Sequence, residues 1–325
     1  MKRKSQQRGR MPKKCNNLDT MPQVVIERIL KDCDLMDILS LRKTCWHTRR
    51  LIDTIRPDPR IKRIIFTCSP ETVSMILTLT DSRWRKVTYE NRCSGWSSMF
   101  TNTTAAEMFR QDFKTLLPMI TRQKTPLAEC DLVIFENSMP VFQESMARLL
   151  DEFSTQLRIE HLTITYHGDL DLMSVLSFVC ATSLEIEDKN RRFEVLDMSR
   201  VAELDQWKSL RKLTLTGCRL DILPHLSQLS DMWLDYQTAS PEDIIALKDV
   251  FRKSPTANKW DINTKDQRHW NEIKREMTQS PTRESVLYFL MSTPGCVMRI
   301  KFLANISFTR ISMSELNGDV LLHDF

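Results

Sequence analysis

The sequence predicts an α/β fold, in which an N-terminal helical unit precedes an irregular leucine-rich-repeat-like solenoid with a parallel sheet and flanking helices. Three observations support this prediction. Apolar residues recur at helical spacing in residues 19–60, short apolar-x-apolar strand signals recur after residue 60, and amphipathic helical stretches lie between those signals. Strands that alternate with helices predict a parallel sheet with right-handed crossovers.

A basic tail opens the chain. The first 14 of the 325 residues contain seven Lys and Arg and no acidic residue. The rest of the chain carries 40 basic against 42 acidic side chains, so the formal net charge of +5 belongs to residues 1–18, which we expect to be disordered. Such a tail suits nuclear import or nucleic-acid binding. It also suits a solvated leader, which we favour because short basic runs are common.

Helical signals begin near Thr20, where Thr20-Met21-Pro22-Gln23 is typical of a capping box with proline in the first turn. A helix through Leu30 follows. Asp34 is expected to cap the next segment, which is one amphipathic helix or a close pair, with apolar-face positions Ile38, Leu41, Cys45, Thr48 and Ile52. Because Pro57 and Pro59 end this pattern, the helical unit is predicted to span residues 19–60.

This unit resembles an F-box, which is a three-helix domain. The resemblance runs in order through Met21-Pro22, Val25, Ile29-Leu30, Asp34-Leu35, Asp37-Ile38-Leu39, Leu41-Arg42, Cys45 and Arg49-Arg50-Leu51-Ile52. Methionine replaces the usual leucine before the proline, and Thr44 stands where valine is common. The resemblance implies docking on a Skp-type adaptor and, through it, a cullin. It implies adaptor contact, or immediate support of that contact, at Met21, Pro22, Val25, Ile29, Leu35, Ile38, Leu39 and Leu41.

Strand signals of the form apolar-x-apolar fill the rest of the chain. They are Ile64/Phe66, Val87/Tyr89, Val133/Phe135, Leu162/Ile164, Leu184/Ile186, Leu213/Leu215, Met232/Leu234, Trp260/Ile262 and Ile300/Phe302. Most successive signals are separated by roughly the 20 to 29 residues of leucine-rich repeats, and residues 210–220 fit that consensus position by position. We therefore predict a linker with the first repeat-like units at 61–124, a polar loop at 91–105, and a repeat domain at 125–325.

The stretch from about Thr125 to about Lys265 is similar to the FTH (DUF38) domain that many nematode F-box proteins carry. The residues that carry this similarity are His161-Leu162-Thr163-Ile164, Ser183-Leu184-Glu185-Ile186, Val201-x-x-Leu204-x-Gln206-Trp207-Lys208 and Ser240-x-Glu242-Asp243-Ile244 through Phe251. An F-box ahead of an FTH domain implies the substrate-recognition subunit of a ubiquitin ligase. The resemblance does not name the target protein.

Enzyme classes find little support in the sequence. The six glycines never lie closer than 23 residues apart, which excludes glycine-rich phosphate loops and the hydrolase nucleophile elbow. The nine cysteines form no C-x-x-C pair, which favours reduced thiols in the cytosol or nucleus. His161 and His167 bracket a predicted strand and would lie roughly 20 Å apart, too far for a shared metal. We predict a protein without catalytic residues, cofactor, metal or membrane span, located in the cytoplasm, the nucleus or both.

The predicted sheet has a polar face. If Leu162, Leu213 and Leu234 face inward, the two-residue alternation of a strand directs the candidate target-binding residues outward. These are Thr163, Glu185, Thr214, Trp233, Asp235 and Asp261. Tryptophan is a frequent interface anchor, although a slip of one residue in the strand phase would bury Trp233. The acidic residues favour a basic or neutral protein over nucleic acid on this face. Two alternatives stay open: a nucleic-acid-associated protein that uses the basic tail, and an interaction scaffold outside any ligase.

Overall fold

The computed structural model describes residues 21–33, 35–91, 104–143, 156–192, 195–196, 200–217, 219–220, 226–236, 240–264, 269–278, 285–316 and 322–323. The basic tail, Thr20, Asp34 and most of the predicted loop at 91–105 lie outside them. The chain divides into two compact units, Met1–Arg60 and Ile61–Phe325. No helix in the described part of the chain is long and apolar enough to cross a membrane.

The first unit consists of helices α1 (Gln23–Asp32), α2 (Leu35–Thr44) and α3 (Trp46–Ile55). Its core is formed by side chains at most 2% exposed, namely Ile26, Leu30, Leu35, Ile38 and Ile52. The predicted second segment is a pair of helices broken at Cys45. Cys45 was expected on the apolar face, but it is exposed. Its Sγ instead accepts the backbone N–H of Thr48 at 3.4 Å and so caps the start of α3.

The second unit alternates strands and helices. Its strands are β1 (Ile61–Cys68), β2 (Thr72–Leu79), β3 (Trp84–Glu90), β4 (Leu127–Ile134), β5 (Leu157–Tyr166), β6 (Val179–Asp188), β7 (Val195–Leu196), β8 (Lys212–Thr216), β9 (Arg219–Leu220), β10 (Asp231–Tyr236), β11 (Lys259–Thr264), β12 (Val286–Leu290), β13 (Cys296–Phe302), β14 (Ile306–Ser312) and β15 (Leu322–His323). Its helices are α4 (Ala105–Ile120), α5 (Leu172–Leu176), α6 (Asp205–Ser209), α7 (Pro241–Lys253) and α8 (Trp270–Thr278).

Thirteen of the described strands form one mixed sheet in the order β15-β12-β13-β14-β11-β10-β8-β6-β5-β4-β1-β2-β3. Its centre, from β1 through β4, β5, β6, β8 and β10 to β11, is parallel and follows chain order. The mixed α/β fold and its largely parallel sheet are therefore confirmed. Both edges differ from the prediction, because β1-β2-β3 and β11-β14-β13-β12 pair antiparallel.

The difference at the edges has a simple cause. The β1–β2 connection is only three residues long, and a parallel crossover needs about a dozen. Ser69 closes this connection through its backbone N–H, which donates to the Thr72 carbonyl at 2.8 Å. The step between the first two strand signals is therefore a three-stranded meander rather than a strand-helix repeat. The leucine-rich-repeat-like solenoid stays a prediction.

Helices α4, α7 and α8 pack on the apolar face of this sheet. Phe66 of β1 meets Phe109 and Phe113 of α4 at ring-centroid distances of 5.8 and 5.3 Å. Phe251 of α7 meets Trp260 of β11 at 5.2 Å, and Trp270 of α8 meets Phe302 of β13 at 6.1 Å. T-shaped ring pairs of this kind stabilise a core beyond their buried area. The other face of the central strands is where the polar side chains lie.

Gly217, immediately after β8, is required by a close backbone approach. Its φ is +77°, and a Cβ built there would lie 2.7 Å from the carbonyl oxygen of Asp188. Asp188 cannot easily move away, because its carboxylate accepts the backbone N–H groups of Asn190 at 2.9 Å and Arg192 at 2.8 Å. The glycine therefore serves both the left-handed conformation and the contact between neighbouring strand exits.

We expect Gly217→Ala to lower the free energy of unfolding by about 2 kcal/mol or more, since it adds a clash to the strain of a left-handed alanine. Urea denaturation followed by circular dichroism measures this loss. Gly295→Ala is the matched control, because Gly295 has φ +74° but no atom within 4 Å of its Cβ. The control measures the strain of a left-handed alanine alone, which we expect to lower the free energy of unfolding by about 1 kcal/mol. Equal losses in the two variants would show that the approach to Asp188 imposes no constraint.

Candidate protein-interaction surfaces

The helical unit exposes large apolar side chains. Val24 is 75% exposed, Val25 is 43% exposed and Trp46 is 70% exposed. The guanidinium group of Arg50 lies 5.4 Å from the centroid of the Trp46 ring, so one side of that ring carries a cation. Val24 and Val25 lie in the first turn of α1, and Trp46 begins α3. Exposed large apolar side chains on a unit this small indicate a surface that binds another protein.

The predicted adaptor-binding residues divide into three groups by exposure. Pro22 and Val25 are exposed, and Met21, Ile29, Leu39 and Leu41 are half-buried. Leu35 and Ile38 are only 2% and 1% exposed, so they belong to the core and can support a contact without making it. Val24 and Trp46 were not selected from the sequence. Their exposure is evident only from the structure, because in the sequence both stand next to apolar residues at a spacing typical of a helical core.

A paired contact joins α2 to α3. Arg42 of α2 donates from Nε to Asp53 Oδ1 of α3 at 2.7 Å and from its second amino group to Oδ2 at 3.2 Å. Two parallel bonds to one carboxylate set direction as well as distance. The Thr44 hydroxyl donates to the Leu41 carbonyl at 2.7 Å near the end of α2. The arrangement gives a small domain a defined orientation of its helices.

The sheet brings most of the predicted target-binding residues into one row. Thr163 of β5 is the register partner of Glu185 of β6, which is in turn the partner of Thr214 of β8. Thr214 is paired with Trp233 of β10, and Trp233 with Asp261 of β11. Five of the six residues, drawn from strands almost a hundred positions apart, therefore lie side by side across five adjacent strands. Asp235 lies two residues further along β10.

The six side chains differ in exposure. Trp233 is 39% exposed, whereas Asp235 and Asp261 are each only 8% exposed. Asn263 Nδ2 donates to Asp235 Oδ1 at 2.9 Å, and Asn305 Nδ2 donates to Asp261 Oδ1 at 3.3 Å. The two carboxylates are thus held on the polar face by neighbouring side chains that partly cover them. Thr163, Glu185 and Thr214 are half-buried.

The two histidines considered for metal binding have separate partners. His161 Nδ1 lies 2.9 Å from the Ser183 hydroxyl, and its Nε2 lies 3.5 Å from Glu185 Oε2. The His167 ring stacks on Phe135 at a centroid distance of 5.2 Å. Across the described ranges, no group of three or more His, Cys, Asp or Glu is arranged to hold a metal ion.

The thiols with displaced pKa values lie in the core. Burial raises the pKa of Cys68 to about 12, and burial with the nearby charge of Asp131 raises that of Cys130. A thiol held protonated at neutral pH is a poor nucleophile. Burial also raises the pKa of Tyr89, whose hydroxyl donates to Asp112 at 3.2 Å. The two thiols are buried in the core, whereas Tyr89 and Asp112 line one cleft together with Glu90 and Gln111.

Comparison with known families supports the same division of the chain. The family model of the F-box domain matches residues 18–60, and that of the FTH domain matches residues 141–277. F-box domains generally bind Skp-type adaptors, and the proteins that carry them are typically non-catalytic. No curated protein and no solved structure matches the chain.

Proposed function

We propose that this chain, an F-box protein with an FTH (DUF38) domain, is the substrate-recognition subunit of a Skp-cullin-F-box type ubiquitin ligase. In this proposal the helical unit binds the Skp-type adaptor, the adaptor recruits a cullin, and the second unit binds the target protein. The observation that carries the proposal is the F-box match, on a unit with exposed apolar side chains. We place this function in the cytosol, the nucleus or both.

The exposed end of α1 supports the adaptor contact. Pro22, Val25 and Ile29 are all accessible, and Val25 and Ile29 lie one turn apart on α1, beside the core face formed by Ile26 and Leu30. An apolar pair at this spacing is typical of helix-in-groove or helix-on-helix binding. Leu39 and Leu41, half-buried on α2, complete the proposed contact.

The polar row supports target binding by the second unit. Thr163, Glu185, Thr214, Trp233 and Asp261 form a continuous band across five strands. A band of this kind on an irregular, leucine-rich-repeat-like array is the usual position of an extended recognition surface. The proposal therefore needs no chemistry from this chain: one unit is held by the adaptor, and the other holds the target.

Affinity purification with mass spectrometry tests this function, with the full chain compared to a chain that lacks residues 19–60. We expect a Skp-type adaptor and a cullin to be recovered with the full chain only. Absence of the adaptor from both samples would contradict the proposal. Recovery of the adaptor without a cullin would instead assign the chain to a scaffold outside the ligase. Binding to RNA or DNA that is lost on removal of the seven basic residues in 1–14 would favour the nucleic-acid alternative.

A further inference from the structure

The polar face carries a charge gradient along its strands. On the seven parallel strands, the row from Ile65 to Asp261 and the next row, from Thr67 to Asn263, contain five carboxylates and no lysine or arginine. The carboxylates are Asp131, Glu185, Glu187, Asp235 and Asp261. The preceding row, which begins at Arg63 and ends at Lys259, is mixed, with Arg63, Lys212 and Lys259 beside Glu129 and Asp231. The surface toward the carboxyl ends of the strands is therefore acidic.

Some of this charge is compensated and some is not. Lys259 Nζ lies 2.8 Å from Asp261 Oδ2, and Arg63 donates to Asp131. Lys189 Nζ lies 2.5 Å from Glu187 Oε1, and His161 Nε2 lies 3.5 Å from Glu185 Oε2. Asp235, in contrast, is held by the neutral amide of Asn263. Asp231 accepts from Ser230 at 2.8 Å and Asn258 at 3.3 Å, but it belongs to the preceding row, where its register partners are Lys212 and Lys259. Neutral donors orient a carboxylate without cancelling its charge. The carboxylate of Asp235 is thus oriented by a neutral partner.

Trp233 lies between those two carboxylates. Asp231 and Asp235 are two residues before and after it on β10, at about 7 Å along a strand. Its neighbours on β8, Thr214 and Thr216, have short side chains, and the indole remains 39% exposed. An exposed indole among carboxylates is poorly suited to an apolar or acidic ligand. It is well suited to a cation, which the ring face and the carboxylates attract together.

We propose that Trp233, with Asp235, binds an arginine or lysine side chain in an extended segment of the target protein. This inference rests on the proposed function and names the chemistry of its ligand. A second basic residue is held by Glu185, which lies two strands away, roughly 10 Å at the usual strand spacing. Because every second side chain of an extended chain faces the same side, about 6.6 Å apart, the two basic residues stand two positions apart in the target, and their long side chains span the remaining distance.

Fluorescence polarisation tests this with the full chain and the labelled peptide Gly-Ser-Gly-Ser-Arg-Gly-Arg-Gly-Ser-Gly. The matched peptide has glutamate at both arginine positions. We expect the arginine peptide to bind and the glutamate peptide not to bind. Trp233→Leu keeps an apolar side chain but removes the ring, and is expected to weaken binding about tenfold. Asp235→Asn keeps the shape and removes the charge, and is expected to weaken binding about fivefold.

Trp84→Ala is the control variant, because Trp84 is 62% exposed on the edge strand β3. The affinity of this variant for the arginine peptide is expected to stay within twofold of that of the wild type. Equal binding of both peptides, absence of binding to either, or equal losses in the Trp84 and Trp233 variants would overturn the inference. The seven basic residues in 1–14 are also replaced by glutamine. A tenfold gain in affinity for the arginine peptide would assign the face to the chain's own tail and would also overturn the inference.

Failure of this inference is distinguishable from failure of the proposed function. Each variant is also measured for capture of a purified Skp-type adaptor, which depends on the helical unit and not on the peptide. Normal adaptor capture with no preference for the arginine peptide refutes the basic ligand and leaves the receptor role in place. Absence of adaptor binding by the wild-type chain refutes the receptor role, whether or not the arginine peptide binds.

Discussion

Val25→Asp is expected to lower the affinity for a purified Skp-type adaptor at least tenfold. Val25 is 43% exposed on α1, one turn before the half-buried Ile29. Loss of a buried apolar anchor at an interface typically costs about 2 kcal/mol or more, and a desolvated carboxylate adds to that cost. The fold is expected to survive, because an acidic side chain in the first turn of a helix is favourable. Isothermal titration calorimetry measures the affinity.

Gln23→Asp is the matched control for this variant. Gln23 is exposed in the same first turn, lies outside the predicted adaptor-binding residues, and gains the same charge. We expect the control to bind the adaptor within about threefold of the wild type. If Val25→Asp stays folded by circular dichroism and binds as the wild type does, the assignment of this helix face to the adaptor is wrong.

Phe113→Ala is expected to lower the free energy of unfolding of the second unit by about 3–5 kcal/mol. The Phe113 ring is 0% exposed and packs between Phe66, at 5.3 Å, and Phe109, at 5.2 Å between centroids. Removal of the ring leaves a cavity where α4 meets β1, and it also deprives Phe178 of a neighbour at 6.2 Å. Urea denaturation followed by circular dichroism gives the loss.

The same substitution at Phe135 is the control for Phe113. Phe135 is 42% exposed and stacks on His167 after the end of β4. Its truncation removes little buried area, so we expect a loss below about 1 kcal/mol. Comparable losses at the two positions would mean that the ring cluster under α4 does not organise the core.

The centre of the sheet was predictable from local alternation. Leu162 and Ile164, for example, alternate with Thr163 and Thr165, and the structure places them in the middle of β5 with the apolar pair buried. A strand that is apolar on one face and polar on the other leaves this pattern in the sequence. Helices between such strands then favour parallel pairing in chain order, as the strands from β4 to β11 show.

The sheet edges could not be predicted in the same way. Val73, Met75 and Leu77 alternate clearly in β2, but they lie inside a step that has the length of a repeat unit. Alternation identifies a strand without giving its partner or direction. Likewise β14, which inserts between β11 and β13, follows β13 in the chain and returns beside a strand more than forty residues earlier. Such pairing depends on contacts distant in sequence.

The candidate surfaces show a similar limit. The alternation of β10 and β11 predicts which face of the sheet Trp233 and Asp261 occupy, but not which other side chains cover them. Asp261 is only 8% exposed partly because Asn305, from the turn before β14, donates to it. Cys45 is another case: its spacing suits a helical core, whereas the chain breaks there and uses the thiol as a cap. Burial and capping both depend on partners that the local pattern does not contain.

Assembly with purified adaptor and cullin tests the central claim most directly. In size-exclusion chromatography, we expect the wild-type chain, a Skp-type adaptor and a cullin to elute as one complex. With Val25→Asp, we expect the adaptor and cullin to elute together without this chain. A wild-type chain that elutes apart from the adaptor and cullin, or a Val25→Asp chain that assembles as the wild type does, would contradict the account.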